Sequence, residues 1–150
     1  MFGHGDVGGE DGVAHASRGR SDVQATPFDF QERTMSAINL DAKLATFSDH
    51  WQPRTVARFN GNDVMVVKAK GEFVWHKHDD TDDLFLVLRG HLTIELRDGK
   101  VQLGPGDLYV VPKGIEHRPV AAEEVHLLLL EPTGTPNTGV IATAAARRVI

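Results

Sequence analysis

The 150-residue chain contains no cysteine. A disulfide framework, a thiolate metal site and a cysteine nucleophile are therefore all excluded. Positive charge is also in short supply, because 16 lysines and arginines stand against 21 aspartates and glutamates, for a net charge of -5. This balance predicts neither nucleic acid nor an anionic membrane as a partner. The lack of cysteine is compatible with a reducing compartment, and we expect a cytoplasmic protein.

The N-terminal residues lack the apolar core that a signal peptide requires. Residues 1–34 mix glycines with isolated charges and show no helical or strand periodicity. We expect this segment to be a disordered tail in which His4 and His15 are solvated. The sequence also lacks a Ser-His-Asp signature, a phosphate-binding glycine loop and a nucleotide fingerprint, so it gives no support to those enzyme classes.

The composition of the chain is that of an ordinary soluble globular protein, with 41% hydrophobic and 25% charged residues. A chain of this length is expected to form one domain that buries about two thirds of its unfolded surface. We expect the folded domain to span residues 35–132. Residues 133–150 are expected to form an irregular, partly ordered C-terminal segment.

The periodicity of the apolar residues predicts one short helix followed by strands. Leu40, Leu44 and Phe47 recur at helical spacing, and Asn39 is placed to cap the helix. Short alternating segments come next, separated by turn signals such as Asp98-Gly99. This arrangement predicts an all-β fold with a helix at its N-terminal side.

Residues 71–90, GEFVWHKHDDTDDLFLVLRG, combine two histidines, an acidic turn and an apolar strand. If the histidines lie on a strand, His76 and His78 project from the same side. Two neutral imidazoles aimed at one point suit a divalent transition metal, and a carboxylate at the end of the turn could fold back over them. The same residues could equally form a polar strand end and a solvated turn.

A third histidine follows a second short strand in residues 106–117, GDLYVVPKGIEH. Pro112 and Gly114 interrupt the strand, and His117 comes directly after this turn. A fold rich in hairpins could bring the third imidazole beside the first two. The third imidazole therefore favours a metal site over a polar strand end.

At these residues the sequence resembles the cupin superfamily, whose small members are double-stranded β-helix barrels of the jelly-roll type. The first cupin motif, G-x5-H-x-H-x(3,4)-E-x6-G, is matched by Gly71, His76, His78, Asp83 and Gly90. The second, G-x5-P-x-G-x2-H-x3-N, is matched by Gly106, Pro112, Gly114 and His117, with Ala121 in place of the asparagine. The resemblance covers residues 39–132 and implies a jelly-roll barrel.

The resemblance implies that His76, His78, Asp83 and His117 bind a divalent transition metal. Manganese, iron, nickel, cobalt and zinc all accept imidazole and carboxylate ligands. Gly71 lies one residue closer to His76 than the motif asks. Asp83 stands where cupins carry glutamate and is shorter by one methylene, roughly 1.5 Å. The shorter reach leaves three alternatives: the backbone at residue 83 lies closer to the metal, a water molecule takes the place of the carboxylate ligand, or the metal is bound weakly. Asp82 also satisfies the spacing, but it would face away from Asp83 on a strand.

Members of the superfamily include sugar-phosphate isomerases, dioxygenases, decarboxylases and proteins that only bind small molecules. We therefore expect a metal-dependent enzyme of the isomerase or dioxygenase type that acts on a small organic or sugar-like molecule. The alternative is a non-catalytic module that binds or senses a small molecule or a metal. The residues expected to line the substrate site are Phe73 or Val74, Phe85, Tyr109 and Val111.

Two strands of the sequence are apolar on both faces. Residues 125–130 are interrupted only by His126, and residues 84–88 read LFLVL. The second apolar face of such strands must be covered by another sheet, the N-terminal helix or another subunit. We expect the protein to form a homodimer.

Overall fold

Residues 36–150 are described by the computed structural model. The disordered tail expected over residues 1–34, with His4 and His15, lies outside the described residues. The bounds expected for the domain and its two flanking segments stay predictions.

A short helix, α1, spans Leu40–Leu44. The Asn39 side chain caps it by accepting a hydrogen bond from the Ala42 backbone N–H at 2.8 Å. The helix is one turn shorter than the apolar spacing suggests, because Phe47 lies beyond its end. Phe47 still packs with Leu40 and Leu44 against the barrel, so the amphipathic pattern identified the correct packing face.

Eight strands follow in the described part of the chain: β1 (Arg54–Phe59), β2 (Asn62–Glu72), β3 (Asp83–Arg89), β4 (Leu92–Leu96), β5 (Gly99–Leu103), β6 (Leu108–Val111), β7 (His117–Pro132) and β8 (Arg148–Val149). A turn of 3-10 helix at Ile141–Thr143 precedes β8. The strands pair in antiparallel fashion, except that β8 runs parallel to β1. The all-β jelly-roll barrel with one short helix is confirmed.

The sixteen-residue strand β7 connects the two ends of the barrel. Its first residues pair with β4, and its remaining length pairs with β2 on one side and β3 on the other. Strand β6 continues the sheet beyond β3. The registers place Leu129 between Met65 and Phe85, and Leu127 between Val67 and Val87. Rows of inward side chains therefore run across three neighbouring strands.

These inward rows form the main core of the barrel. Removal of this apolar surface from water is the chief force that holds the strands together. The buried core residues are Met65, Val67, Ala69, Phe85, Val87, Leu92, Ile94, Leu103, Val111, Ala121, Val125, Leu127 and Leu129.

Gly90 is required by the packing of the turn between β3 and β4. Its φ of +84° is a left-handed conformation that side chains disfavour, and a Cβ there would lie 2.8 Å from the Glu124 carbonyl oxygen. Only glycine fits both conditions, which explains the last glycine of the first motif.

Within residues 36–150, no helix is long and apolar enough to cross a membrane. The expected cytoplasmic location and the expected absence of nucleic acid partners stay predictions.

Candidate metal centre

The fold brings together the four residues of the two motifs. His76 and His117 form an isolated antiparallel bridge, and Asp83 is the first residue of β3. The His78 carbonyl accepts a hydrogen bond from Gly114 N–H at 2.7 Å, which ties the histidine segment to the turn before His117. All four side chains are buried, with residue exposures between 1% and 7%. Their candidate ligand atoms lie within 4.8 Å of one another.

The distances around Asp83 are those expected of ligands that share one ion. Asp83 Oδ2 lies 3.1 Å from His117 Nε2, 3.4 Å from His78 Nε2 and 4.0 Å from His76 Nε2. Two ligand atoms bound to one ion at about 2.1 Å are about 3.0 Å apart at right angles and about 4.2 Å apart when opposite. The shorter carboxylate of Asp83 therefore reaches the centre of the cluster. The group could hold a metal ion.

Two of the imidazoles are oriented by backbone carbonyls. His76 Nδ1 lies 2.9 Å from the Val74 carbonyl oxygen, and His117 Nδ1 lies 2.9 Å from the Ile115 carbonyl oxygen. Because a carbonyl can only accept, each Nδ1 carries the proton and donates it. Nε2 of each ring then faces the cluster, which is the orientation that metal binding requires, and His117 Nε2 lies within hydrogen-bonding distance of Asp83 Oδ2 at 3.1 Å.

Two polar atoms of the cluster have unsatisfied hydrogen-bonding capacity. Among the described residues, His78 Nε2 and Asp83 Oδ1 are buried without a hydrogen-bond partner. A buried polar atom without a partner is costly, by about 1–3 kcal/mol. A cation bound between these atoms would remove that cost, so the donor set fits a metal ion.

Burial and neighbouring charges favour the protonation states that metals bind. Burial lowers the pKa of His76 to about 4. Burial alone would raise the pKa of Asp83, but the adjacent imidazoles of His117 and His78 outweigh it and lower this pKa to about 2. At neutral pH His76 is therefore a neutral donor and Asp83 an anionic one.

A continuous strand would place Val74 on the same side as His76 and His78, but the structure does not. Strand β2 ends at Glu72, so the chain that follows is not a continuous strand. His76 and His78 are still both buried, but Val74 is 53% exposed instead of sharing their side. Phe73 takes the inward position, stacked on Trp51 with ring centroids 5.0 Å apart.

Asp82, the alternative ligand, points elsewhere. It is exposed, and its Oδ1 accepts a hydrogen bond from the Lys113 backbone N–H at 2.9 Å.

A cavity of about 40 Å³ adjoins the cluster. Phe73 and Phe85, two of the expected lining residues, contribute to its wall. Val74, Tyr109 and Val111 do not line this cavity, and their place in a substrate site stays a prediction. Val111 is 1% exposed within the core, and the partly buried Tyr109 packs against that core. The polar part of the wall consists of His76, Asp83, Glu131 and Asn137.

Glu131 is a buried carboxylate beside the cluster that the sequence analysis did not identify. It is 3% exposed, and its Oε1 lies 3.8 Å from His78 Nε2. Burial raises its pKa to about 8, and the negative charge of Asp83 adds to this effect. The signal was present in the sequence: Glu131 continues the inward phase of Val125, Leu127 and Leu129 at the end of an apolar strand.

Comparison with known proteins places residues 63–131 in a family model described as "Cupin domain". The crystal structure of a cupin-2 domain containing protein from Shewanella frigidimarina is 46% identical, covers 64% of this chain and 94% of its own, and superposes with a TM-score of 0.63. Protein NMB1881 from Neisseria meningitidis is 31% identical over 65% of this chain and all of its own, with a TM-score of 0.60.

A curated relative, the uncharacterized protein YdbB of Bacillus subtilis, is 37% identical over 65 residues. The match covers 43% of this chain and 58% of YdbB, less than two thirds of that relative's length. The names of these three proteins mention no reaction.

Proposed function

This chain belongs to the cupin superfamily, and on that premise we propose that it is a metal-dependent enzyme of the isomerase or dioxygenase type. Its substrate would be a small organic or sugar-like molecule. The observation that carries the proposal is the convergence of His76, His78, Asp83 and His117 beside a cavity. Buried donors of this kind, with two Nε2 atoms oriented by the carbonyl contacts of their rings, suit a divalent ion of manganese, iron, nickel, cobalt or zinc.

Such an ion would supply Lewis acidity or, for the redox-active metals, electron transfer. The protein residues have separate tasks in this proposal. His76 and His117 present oriented nitrogen donors, and Asp83 provides the negative charge. Phe73 and Phe85 keep bulk water away from the cluster and provide apolar contacts for a substrate. Three imidazoles and one carboxylate leave positions free in a six-coordinate ion.

Turnover is tested with metal-loaded protein against panels of sugars, hydroxy acids and phenols. The wild-type protein is expected to form a product, and His76→Ala is expected to form none while its circular dichroism spectrum stays unchanged. If no panel member is converted by the wild-type protein, but some raise its melting temperature, the non-catalytic binding module is supported instead.

The size of the cavity favours the binding module as a second candidate. Pockets for drug-sized ligands enclose about 300–1,000 Å³, whereas the cavity beside the cluster encloses about 40 Å³. This volume accommodates an ion and a few waters. A larger substrate does not fit within this cavity, whereas an ion does.

We also propose that the protein is a homodimer that pairs through the outer face of the sheet formed by β2, β7, β3 and β6. The registers align two rows of apolar side chains across this face: Val64, Leu130, Leu84 and Val110 in one row, and Val66, Leu128, Leu86 and Leu108 in the other. Helix α1 packs over the β2 end of these rows, but Leu108 is 55% and Val110 37% exposed. Light scattering after size exclusion should give the dimer mass, and a monomer at micromolar concentration would contradict this proposal.

A further inference from the structure

Three buried carboxylates form a row across neighbouring strands at the end of the barrel that carries the cluster. Asp63 of β2 pairs with Glu131 of β7. On the other side of β7, Leu130 pairs with Leu84, so Glu131 also lies beside Asp83 of β3. Asp63, Glu131 and Asp83 are 2%, 3% and 4% exposed. Acidic side chains so close together in a poorly solvated site require compensating cations or a bound proton.

Two arginine side chains lie near this row, and both contact Asp63. Arg147 Nη1 lies 3.1 Å from Asp63 Oδ2, and Arg147 Nη2 lies 3.6 Å from Glu131 Oε2. Arg58 Nε also lies 3.2 Å from Asp63 Oδ1. The two guanidinium groups thus contact Asp63 and Glu131, and the Asp83 side of the row faces the histidine cluster instead.

Glu131 approaches the cluster at one of its unsatisfied atoms. Glu131 Oε1 lies 3.8 Å from His78 Nε2, although Glu131 is not one of the four residues whose ligand atoms all lie within 4.8 Å of one another. His78 Nε2 is buried without a hydrogen-bond partner in the described structure. Glu131 also lines the cavity together with His76 and Asp83. It therefore borders the cluster on the cavity side.

We propose that Glu131 acts as a supporting carboxylate beside the four ligands of the bound metal ion and that Arg147, from the C-terminal segment, positions it. This inference rests on the proposed metal function. A divalent ion bound at Asp83 would compensate for the negative charge of this carboxylate, which lies at the opposite end of the row from the arginine contacts with Asp63. The C-terminal segment, which follows the residues matched by the family model, would then be part of the metal centre's support.

The test is the affinity for Mn²⁺ alone, measured by isothermal titration calorimetry on chelator-treated protein. Glu131→Gln removes the charge and keeps the shape, and it should weaken binding by about 10–100-fold, as loss of a supporting carboxylate typically does. Glu123→Gln is the matched control, because Glu123 lies on the same strand and its side chain is 89% exposed. We expect this control to bind Mn²⁺ with wild-type affinity.

A second readout separates metal binding from a purely structural role. Mn²⁺ should raise the melting temperature of Glu131→Gln less than that of the wild-type protein, while the metal-free melting temperatures stay similar. Glu131→Asp should recover part of the lost affinity, because it restores the charge. If Glu131→Gln does not fold, Glu131→Leu replaces it, since leucine removes the charge and keeps apolar volume beside Leu129.

The outcomes distinguish this inference from the proposed function. Wild-type affinity in Glu131→Gln, together with loss of binding in His76→Ala, would overturn the role of Glu131 and leave the metal centre intact. An equal loss in Glu131→Gln and Glu131→Asp would also overturn it, because charge would not be the cause. Failure of the wild-type protein to bind Mn²⁺ and the other four metals would overturn both.

Discussion

His76 and His117 are joined by two reciprocal backbone hydrogen bonds. His76 N–H donates to the His117 carbonyl at 3.0 Å, and His117 N–H donates to the His76 carbonyl at 2.9 Å. The two imidazole centroids are consequently 4.3 Å apart, although 40 residues separate them in the sequence. The backbone of the barrel, and not the side chains alone, sets the spacing of these donors.

The charge of Asp83 is expected to be essential for metal affinity. Asp83→Asn keeps the shape of the side chain but removes the only carboxylate of the four-residue cluster. We predict at least about a tenfold weaker Mn²⁺ affinity, since a metal ligand or its supporting carboxylate typically contributes this much. Isothermal titration calorimetry measures the Mn²⁺ affinity of the variant. An affinity equal to that of the wild-type protein would exclude Asp83 as a ligand.

Lengthening the same side chain is expected to cost stability. Glutamate is the residue that cupins carry at this position, but Asp83 Oδ2 already lies 3.1 Å from His117 Nε2 and the residue is 4% exposed. An extra methylene in so closely packed a site should destabilise the protein by about 1–3 kcal/mol. Urea denaturation of Asp83→Glu tests this. A stability equal to the wild type with tighter metal binding would mean that Asp83 lies too far from the ion.

Gly90→Ala is expected to destabilise the fold more than Gly106→Ala. Both glycines have φ near +85°, so each substitution introduces left-handed strain of about 1–2 kcal/mol. At Gly106 a Cβ meets nothing within 4 Å, whereas at Gly90 it meets the Glu124 carbonyl at 2.8 Å. The clash should add about 1–3 kcal/mol. Equal losses of unfolding free energy in urea would show that the close approach at Gly90 is absent.

Acid is expected to remove the stabilising contribution of Glu124. Hydrogen bonds with His50, and then with His126, lower the pKa of Glu124 to about 2. A depressed carboxyl pKa stabilises the folded state above the unfolded pKa of about 4.3, and this stabilisation is lost as the pH falls towards 2. Urea unfolding should therefore show wild type more stable than Glu124→Gln at pH 7, with the difference shrinking by pH 3. A difference that does not change between these pH values would contradict the assignment.

Sequence reasoning found the parts of the site that depend on motif spacing and strand phase. His76, His78, Asp83 and His117 could be selected because they match the two motifs, and Leu127 and Leu129 follow the alternation of a buried strand. Their common location required the cross-strand bridge, which no local pattern reveals.

The misses have local physical causes. Strand periodicity cannot predict the exposure of Val74, because β2 ends at Glu72 and the chain that follows is not a continuous strand. Glu131 was overlooked because a charged residue at a strand end usually faces water. Its burial depends on Asp63, Asp83 and Arg147, which are distant in sequence and meet only in the folded barrel.

Metal content tests the central claim most directly. Untagged wild-type protein, His76→Ala and the control His91→Ala, whose histidine is exposed, are purified without chelator and analysed by inductively coupled plasma mass spectrometry. The account predicts near-stoichiometric transition metal in the wild type and in His91→Ala, and its loss in His76→Ala. Equal metal content in all three, or none in the wild type even after incubation with each of the five candidate ions, would contradict it.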